Sequence, residues 1–369
     1  MKRWLSLYAR YDWGLLLAVL TLSAVGILAI YGMNVSRGSS DLFQLKKQMI
    51  AVAIGTALAL SLPLFDYRHI KSIVIPLYGA AMAILAAVLV FGTTARNAGR
   101  WFVLGAFSFQ PVELAKLVLA LFLASYLARH AHRRLSWTAF IGSLIVTGVY
   151  VGLVLMQPDF GSAMVLVFIW GVAVLFCGLP RHAWWISLLS IVTVAALLWT
   201  VGLRPYQKDR ITSFLNPAAD PYGASYNVTQ ARIAIGSGGL FGKGIGEGSQ
   251  ARLRFLPEAS TDFMFAVIGE ELGFAGVSLI LTVFCYLFYR MFRIAKEADD
   301  AFAGITIVLF ASFMLFHLIV NAGMNLGLLP VTGIPLPFLS AAASSVVVMY
   351  GVIGITQSIA VHSQSSYGS

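Results

Sequence analysis

Apolar residues run through this chain in unbroken stretches of about twenty, the length that crosses a bilayer as a helix, and without the alternation of a barrel strand. Windows of about nineteen residues place spans near 13–32, 47–65, 72–92, 111–129, 137–156, 161–179, 183–203, 263–290, 303–325 and 338–361. The polar breaks between them are short except for one of nearly sixty residues, 204–262, between the seventh and eighth spans. The pattern predicts an all-α polytopic integral membrane protein: ten transmembrane helices in a single membrane domain over 1–369, both termini on one side.

Composition agrees. Of 369 residues, 59% are hydrophobic and only 11% charged, with a mean hydropathy of +0.85, whereas soluble domains carry roughly 25% charged residues. The formal charge of +10 is scattered between apolar runs with no basic stripe, which argues against nucleic acid and for contacts to anionic membrane lipids. Cys177 and Cys285 both lie in apolar runs and are not expected to bridge. Basic residues precede the first span but no small-residue cleavage site follows, so that span reads as an anchor.

Positive charge sets the orientation. With the N-terminus inside, inner segments hold Lys2, Arg3, Arg10, Arg68, Lys71, Arg129, Arg133, Arg134, Arg181, Arg290, Arg293 and Lys296, and the short outer loops only Arg37, Lys46, Lys47, Arg96 and Arg100. The long segment does not vote, because long loops translocate regardless of charge. Both termini are thus expected in the cytoplasm and the long loop outside.

Ionisable residues at membrane depth are costly and tend to line polar cavities. The fourth span opens Gln110-Pro111-Val112-Glu113-Leu114-Ala115-Lys116. Glu113 and Lys116 share a helix face, so they form a structural ion pair, or Lys116 neutralises a phosphate while Glu113 holds it or coordinates a metal. Asp159, in Gln157-Pro158-Asp159, either caps the sixth span or joins a site, and Trp101 either anchors at the interface or stacks on a sugar. Long loops are usually functional. Most charges of this one read as solvated surface, and its glycine clusters, around Gly236–Gly239, Gly242-Lys243-Gly244 and Gly246–Gly248, lack the surroundings of a nucleotide site. At its end, Glu258-Ala259-Ser260-Thr261-Asp262 enters an apolar helix. Thr261 or Asp262 caps that helix, or Asp262, partly desolvated at the bilayer rim, serves as a general base. From Asn321 to Phe338, glycines and prolines break a helix at membrane depth, where irregular backbone survives only against protein or a cavity.

These motifs, in this order, resemble the SEDS family (shape, elongation, division and sporulation proteins) over nearly the whole chain. The resemblance is strongest over Phe109–Lys116, Gln157–Gly161, Tyr206–Arg210 with Ile235–Leu240, Leu256–Gly273 and Asn321–Ser340. The glycine-rich run and compact termini point to the elongation branch over the division branch. The resemblance implies a peptidoglycan glycosyltransferase that polymerises lipid II beside a class B penicillin-binding protein, with other elongation-complex proteins as further partners. It puts the essential aspartate at Asp262 and further motif positions at Glu113, Lys116, Asp159, Glu258 and Arg210; Gln110, Trp101 and Lys243 complete the candidate substrate contacts.

The implied chemistry is an inverting transfer. Asp262 is the base, Lys116 and Arg210 face the undecaprenyl pyrophosphate leaving group, and a divalent cation (Mg or Mn) is a candidate on Glu113, Asp159 or Asp262. Two departures stand out: Ser260 replaces the family's usual His, and Ser340-Ala341-Ala342-Ala343-Ser344 replaces Ser-Tyr-Gly-Gly-Ser, so a changed cavity shape is expected near the last span. The rival readings are a lipid II flippase and a non-catalytic scaffold for the penicillin-binding protein.

Overall fold

A computed structural model describes residues 7–36, 42–95, 98–104, 107–130, 135–180, 183, 185, 205–216, 225–253, 255–256 and 258–363, with backbone alone at 93–95, 98–100, 103–104, 107, 206 and 251. Among the described residues nine helices are long and apolar enough to cross a membrane. They are α1 (Trp13–Ser36), α2 (Phe43–Ser61, extended by a 3-10 turn to Leu64), α3 (Tyr67–Phe91), α4 (Pro111–Ala128), α5 (Trp137–Met156), α6 (Phe160–Cys177), α10 (Met264–Lys296), α11 (Ala301–Asn325) and α12 (Ala343–Ser363). Each coincides with an expected span to within a few residues. Of the expected seventh span, 183–203, all but Ala183 and Trp185 lie outside the described residues, as do Lys2, Arg3, Arg37, Arg96, Arg133, Arg134 and Arg181 from the orientation argument.

The helices start where the chain supplies an acceptor for orphan N–H groups. Asp66 takes the Arg68 N–H at 2.8 Å, Ser136 the Ala139 N–H at 3.2 Å and Asp300 the Ala303 N–H at 2.8 Å. Pro111 opens α4 at a position where its missing N–H costs nothing. Helices α4, α11 and α12 form the buried centre, and α2, α3 and α5 turn most of their surface outward, as lipid-facing helices do. Charges at one end of the bundle tie helices together: Lys71 to Asp300 at 2.9 Å and Arg290 to Asp12 at 2.6 Å.

Two features were not expected. Between α3 and α4 the chain forms a small antiparallel sheet, β1 (Thr93–Ala95), β2 (Ala98–Leu104) and β3 (Phe107–Phe109). Lys47 and Ser344 hold Ser108 of β3, at 2.7 Å each, fastening the sheet to α2 and α12. The described part of the long loop is largely helical: α7 (Pro205–Leu215), α8 (Tyr226–Ser237) and a single turn, α9 (Ser249–Arg252).

The glycine-rich run has a structural explanation. α10 breaks at Gly273 (φ 65°, ψ −166°), which strands carbonyls before the break and N–H groups after it. The run supplies both partners. Lys243 N and Gly244 N donate to the Glu270 and Glu271 carbonyls at 3.0 Å, and Phe274 N and Ala275 N donate to the Gly239 and Leu240 carbonyls at 2.9 Å. Backbones approach so closely that a Cβ on Gly242 would strike the Glu271 carbonyl, and one on Gly238 the Gly269 carbonyl. The run splices a broken helix; it does not cradle a phosphate.

Candidate active site

At the end of the bundle opposite the Lys71–Asp300 pair, a cavity of about 460 Å³ opens between the starts of α4 and α6, helix α7, the turn before α10 and the irregular 330–342 segment. That volume is typical of a small-molecule site. Its lining includes Trp101, Gln110, Glu113, Lys116, Asp159, Arg210, Glu258 and Asp262, eight of the nine residues nominated from sequence. Lys243 is the exception. It reaches the fully buried Glu270 at 2.7 Å and Ser249 at 2.9 Å, within the splice, and a cation held there is not available to a substrate in the cavity.

Glu113 and Lys116 form the ion pair their spacing allows, 2.7 Å apart with side chains 3% and 1% exposed. The Lys116 ammonium also lies 5.9 Å from the Phe313 ring centre. The pair is neutral as a unit and rigid, so it shapes the cavity floor and offers little net field.

Asp159 does cap α6, accepting from Ser162 N at 3.1 Å and Ser162 Oγ at 3.0 Å, and it also accepts from Gln110 Nε2 at 3.2 Å. Helix α7 lies across the mouth, where Arg210 donates to the Val331 carbonyl at 3.2 Å and Gln207 to that of Pro158 at 3.3 Å.

Asp262 is not a helix cap. The N-cap of α10 is Phe263, without a side-chain bond. Asp262 lies in a tight turn in which the Glu258 carbonyl accepts from the N–H groups of Thr261, Asp262 and Phe263 at 3.1–3.3 Å. Glu258 itself sits at φ 56°, a region a glutamate rarely adopts and one that persists only where surroundings enforce it. The enforcement comes from α11, whose His317, Asn321 and Asn325 are fully buried and, four residues apart, share one face. Asn321 and Asn325 both donate to the Asp262 carbonyl at 3.1 Å. Asn321 also holds the Ile334 carbonyl at 2.8 Å, His317 Nδ1 lies 3.2 Å from that of Pro335, and Asn325 accepts from Ala266 N at 3.2 Å. One polar stripe thus fixes both irregular walls, the Asp262 turn and the 330–338 segment.

The two departures from the family pattern touch each other. Ala341 N donates to the Ser260 carbonyl at 2.8 Å, and Ser340 Oγ to that of Thr261 at 2.6 Å. Ala341 and Ala342 line the cavity, and neither they nor Ala343 has a positive φ, so alanine is accommodated without backbone strain.

Sequence reasoning passed over His317 and Gln207 and read Asn321 and Asn325 only as part of a broken helix. The signal was there: polar residues at 317, 321 and 325 in an otherwise apolar helix form a one-faced stripe that cannot face lipid.

The family model covering FtsW, RodA and SpoVE, described as cell cycle proteins, matches residues 12–365. The chain belongs to this family. Among FtsW/RodA/SpoVE relatives, the probable peptidoglycan glycosyltransferase FtsW of Trichlorobacter lovleyi is 34% identical over 95% of this chain and 93% of its own. The peptidoglycan glycosyltransferase MrdB of Escherichia coli K12 is 35% identical over 94% and 92%. Overall identity therefore does not separate the two branches. Among solved structures, a chain from a study of how a peptidoglycan synthase complex coordinates polymerization and crosslinking aligns with TM-score 0.79 and 32% identity over 97% of this chain and 99% of that one. The Thermus thermophilus Rod shape determining protein RodA aligns with TM-score 0.70 and 31% identity, over 95% and 96%.

Proposed function

We propose that this chain is a peptidoglycan glycosyltransferase that polymerises lipid II during cell elongation, working with a class B penicillin-binding protein. The observation that carries this reading is the setting of Asp262: a carboxylate outside any cap, on a turn clamped by two buried asparagines, facing a polar cavity at one end of a membrane-embedded bundle. In our reading that end faces the outside of the cytoplasmic membrane, as the distribution of positive charge in the loops favours.

The chemistry is one inverting displacement. An acceptor hydroxyl gives its proton to an Asp262 carboxylate oxygen as its own oxygen bonds to the donor's anomeric carbon. The bond from that carbon to the diphosphate breaks on the opposite face, and its electron pair leaves with the diphosphate. One base suffices, because a diphosphate departs without an acid to protonate it, unlike the leaving group of a glycosidase, which uses a second carboxyl. Asp159, with oxygens already bonded to Ser162 and Gln110, holds the α6 side of the cavity in shape. Trp101 offers a flat face to a sugar.

A divalent cation (Mg or Mn) stays a candidate, which Glu113, Asp159 or Asp262 of the cavity lining would hold together with substrate phosphate oxygens. Among the described residues no cluster of three or more His, Cys, Asp or Glu side chains could hold a metal ion by protein groups alone.

The test is Asp262→Asn, purified with its transpeptidase partner and given labelled lipid II. Loss of the base should lower glycan formation by about 10²–10⁴-fold with the protein's melting temperature unchanged. Undiminished synthesis would remove Asp262 from this role, and failure of the unmutated complex to make glycan would favour a flippase or scaffold.

A further inference from the structure

The lining of the main cavity carries four carboxylates, Glu113, Asp159, Glu258 and Asp262, against two cations, Lys116 and Arg210. Lys116 is buried and bonded to Glu113, so these two charges largely cancel each other. A group that bears two negative charges, as the diphosphate of a prenyl-linked sugar does, gains most where cations without an ion-pair partner gather.

A second groove, of about 60 Å³, adjoins this cavity and shares Arg210, Pro330 and Val331 with it. Its charge is of the opposite sign. Among the described residues Arg210 and Arg232 are its ionisable groups; Ser213, Ser225 and Thr229 add hydroxyls, and no described carboxylate lines it. The acid next in the chain, Asp209, is exposed on α7 and outside the lining. Neither arginine has an ion-pair partner among the described residues. Water takes about 10–15 Å³ of such space, so the groove holds on the order of four waters, room for a phosphoryl group. Leu215, Ile233 and Leu328, each next in the chain to a lining residue, are apolar and 73%, 46% and 68% exposed.

We infer that Arg210 and Arg232 form the diphosphate subsite, with the prenyl chain leaving over Leu215, Ile233 and Leu328. This rests on the polymerase reading above and relocates its anion site away from Lys116. The separation has a chemical use. With the base in the cavity and the diphosphate in the adjoining groove, the two are in separate spaces, as inversion requires of attacking and leaving groups, and Arg210 is common to both.

The test titrates inorganic pyrophosphate into the purified full chain in nanodiscs of neutral lipid and reads heat. Arg232→Gln is expected to weaken binding about tenfold, since a guanidinium held bidentate by phosphate oxygens is lost, with Arg232→Lys recovering part of it. The paired change Glu113→Gln/Lys116→Met should leave binding within about twofold, because it removes a neutral unit. Melting temperatures check that each variant is folded. Unchanged pyrophosphate affinity in Arg232→Gln, or a loss as large in the paired variant, overturns the assignment. Malonate binding as tightly as pyrophosphate also overturns it, and reassigns the groove to a carboxylate. Glycan synthesis by the unmutated complex is measured apart: pyrophosphate binding that depends on Arg232, in a chain that makes no glycan, sinks the polymerase reading and leaves the subsite standing.

Discussion

The clamp on Asp262 can be tested without touching a reacting group. Asn325→Ala removes four side-chain hydrogen bonds: to the Asp262 carbonyl at 3.1 Å, to the Asn321 carbonyl at 2.8 Å, to Asn321 Oδ1 at 3.4 Å and from Ala266 N at 3.2 Å. One buried group loses its donor: Asn321 Oδ1, which accepts from Asn325 Nδ2 at 3.4 Å in a fully buried side chain. The Asp262 carbonyl keeps Asn321 at 3.1 Å, and Ala266 N keeps the Phe263 carbonyl at 3.0 Å. The cost to stability is the net value of the bonds, about 1 kcal/mol each and about 4 kcal/mol together, with about 1 kcal/mol or more added for the unpaired Asn321 oxygen, which lowers the melting temperature by several degrees. The cost to catalysis is larger. The turn relaxes by some fraction of an ångström, and a shift of about 1 Å at a catalytic group costs about 10²-fold in rate. Glycan synthesis by the purified complex should show kcat reduced by about 10–100-fold with KM within about threefold, since the substrate-contacting side chains are intact. A variant that melts earlier as expected yet turns over within twofold of the parent would show that the asparagines hold the fold and not the base.

Three further outcomes follow from the same geometry. Glu113→Gln alone strands the Lys116 ammonium at 1% exposure and should cost about 3–5 kcal/mol, most of it recovered when Lys116→Met is added; thermal melting of the three variants measures the coupling. Gly273→Ala puts a Cβ against Gly242 N and the Leu240 backbone at a φ of 65°, so it should unseat the glycine run from α10 and reduce the yield of folded protein, read by monodisperse elution. Lys243→Met leaves the Glu270 carboxylate, fully buried, without its cation and should lower the melting temperature while leaving KM for lipid II unchanged; a raised KM would restore Lys243 as a substrate contact.

The positions of the spans were legible because a bilayer imposes a strict rule: about twenty apolar residues with every backbone group satisfied within the helix. That rule says nothing where water or protein replaces lipid, and there the reading was thinner. The 93–109 sheet went unseen because its strands are three to seven residues long and their residues equally suit a helix end. The loop helices α7 and α8 were taken for coil because their amphipathic faces are short and their glycines conspicuous. Those same glycines illustrate a deeper limit. The need for glycine at 238, 242 and 273 comes from backbones thirty residues apart meeting at van der Waals distance, a tertiary fact no local pattern encodes.

The candidate site was legible for a different reason. Each carboxylate or cation placed in an apolar chain must answer for its desolvation, and the answers are few: a pair, a cap or a cavity. Glu113 and Lys116 turn out to be a pair within a cavity, Asp159 a cap within a cavity, and Glu270 with Lys243 a pair that splices a helix. Asp262 does not cap a helix, and its backbone is the one that two buried asparagines converge on. A fold that needed only a soluble side chain at the bilayer rim would have no reason to commit two desolvated amides to holding one carbonyl. That convergence is the physical reason to place the proton transfer at Asp262, and it predicts that catalysis is more sensitive to the geometry of α11 than to any single cation in the cavity floor.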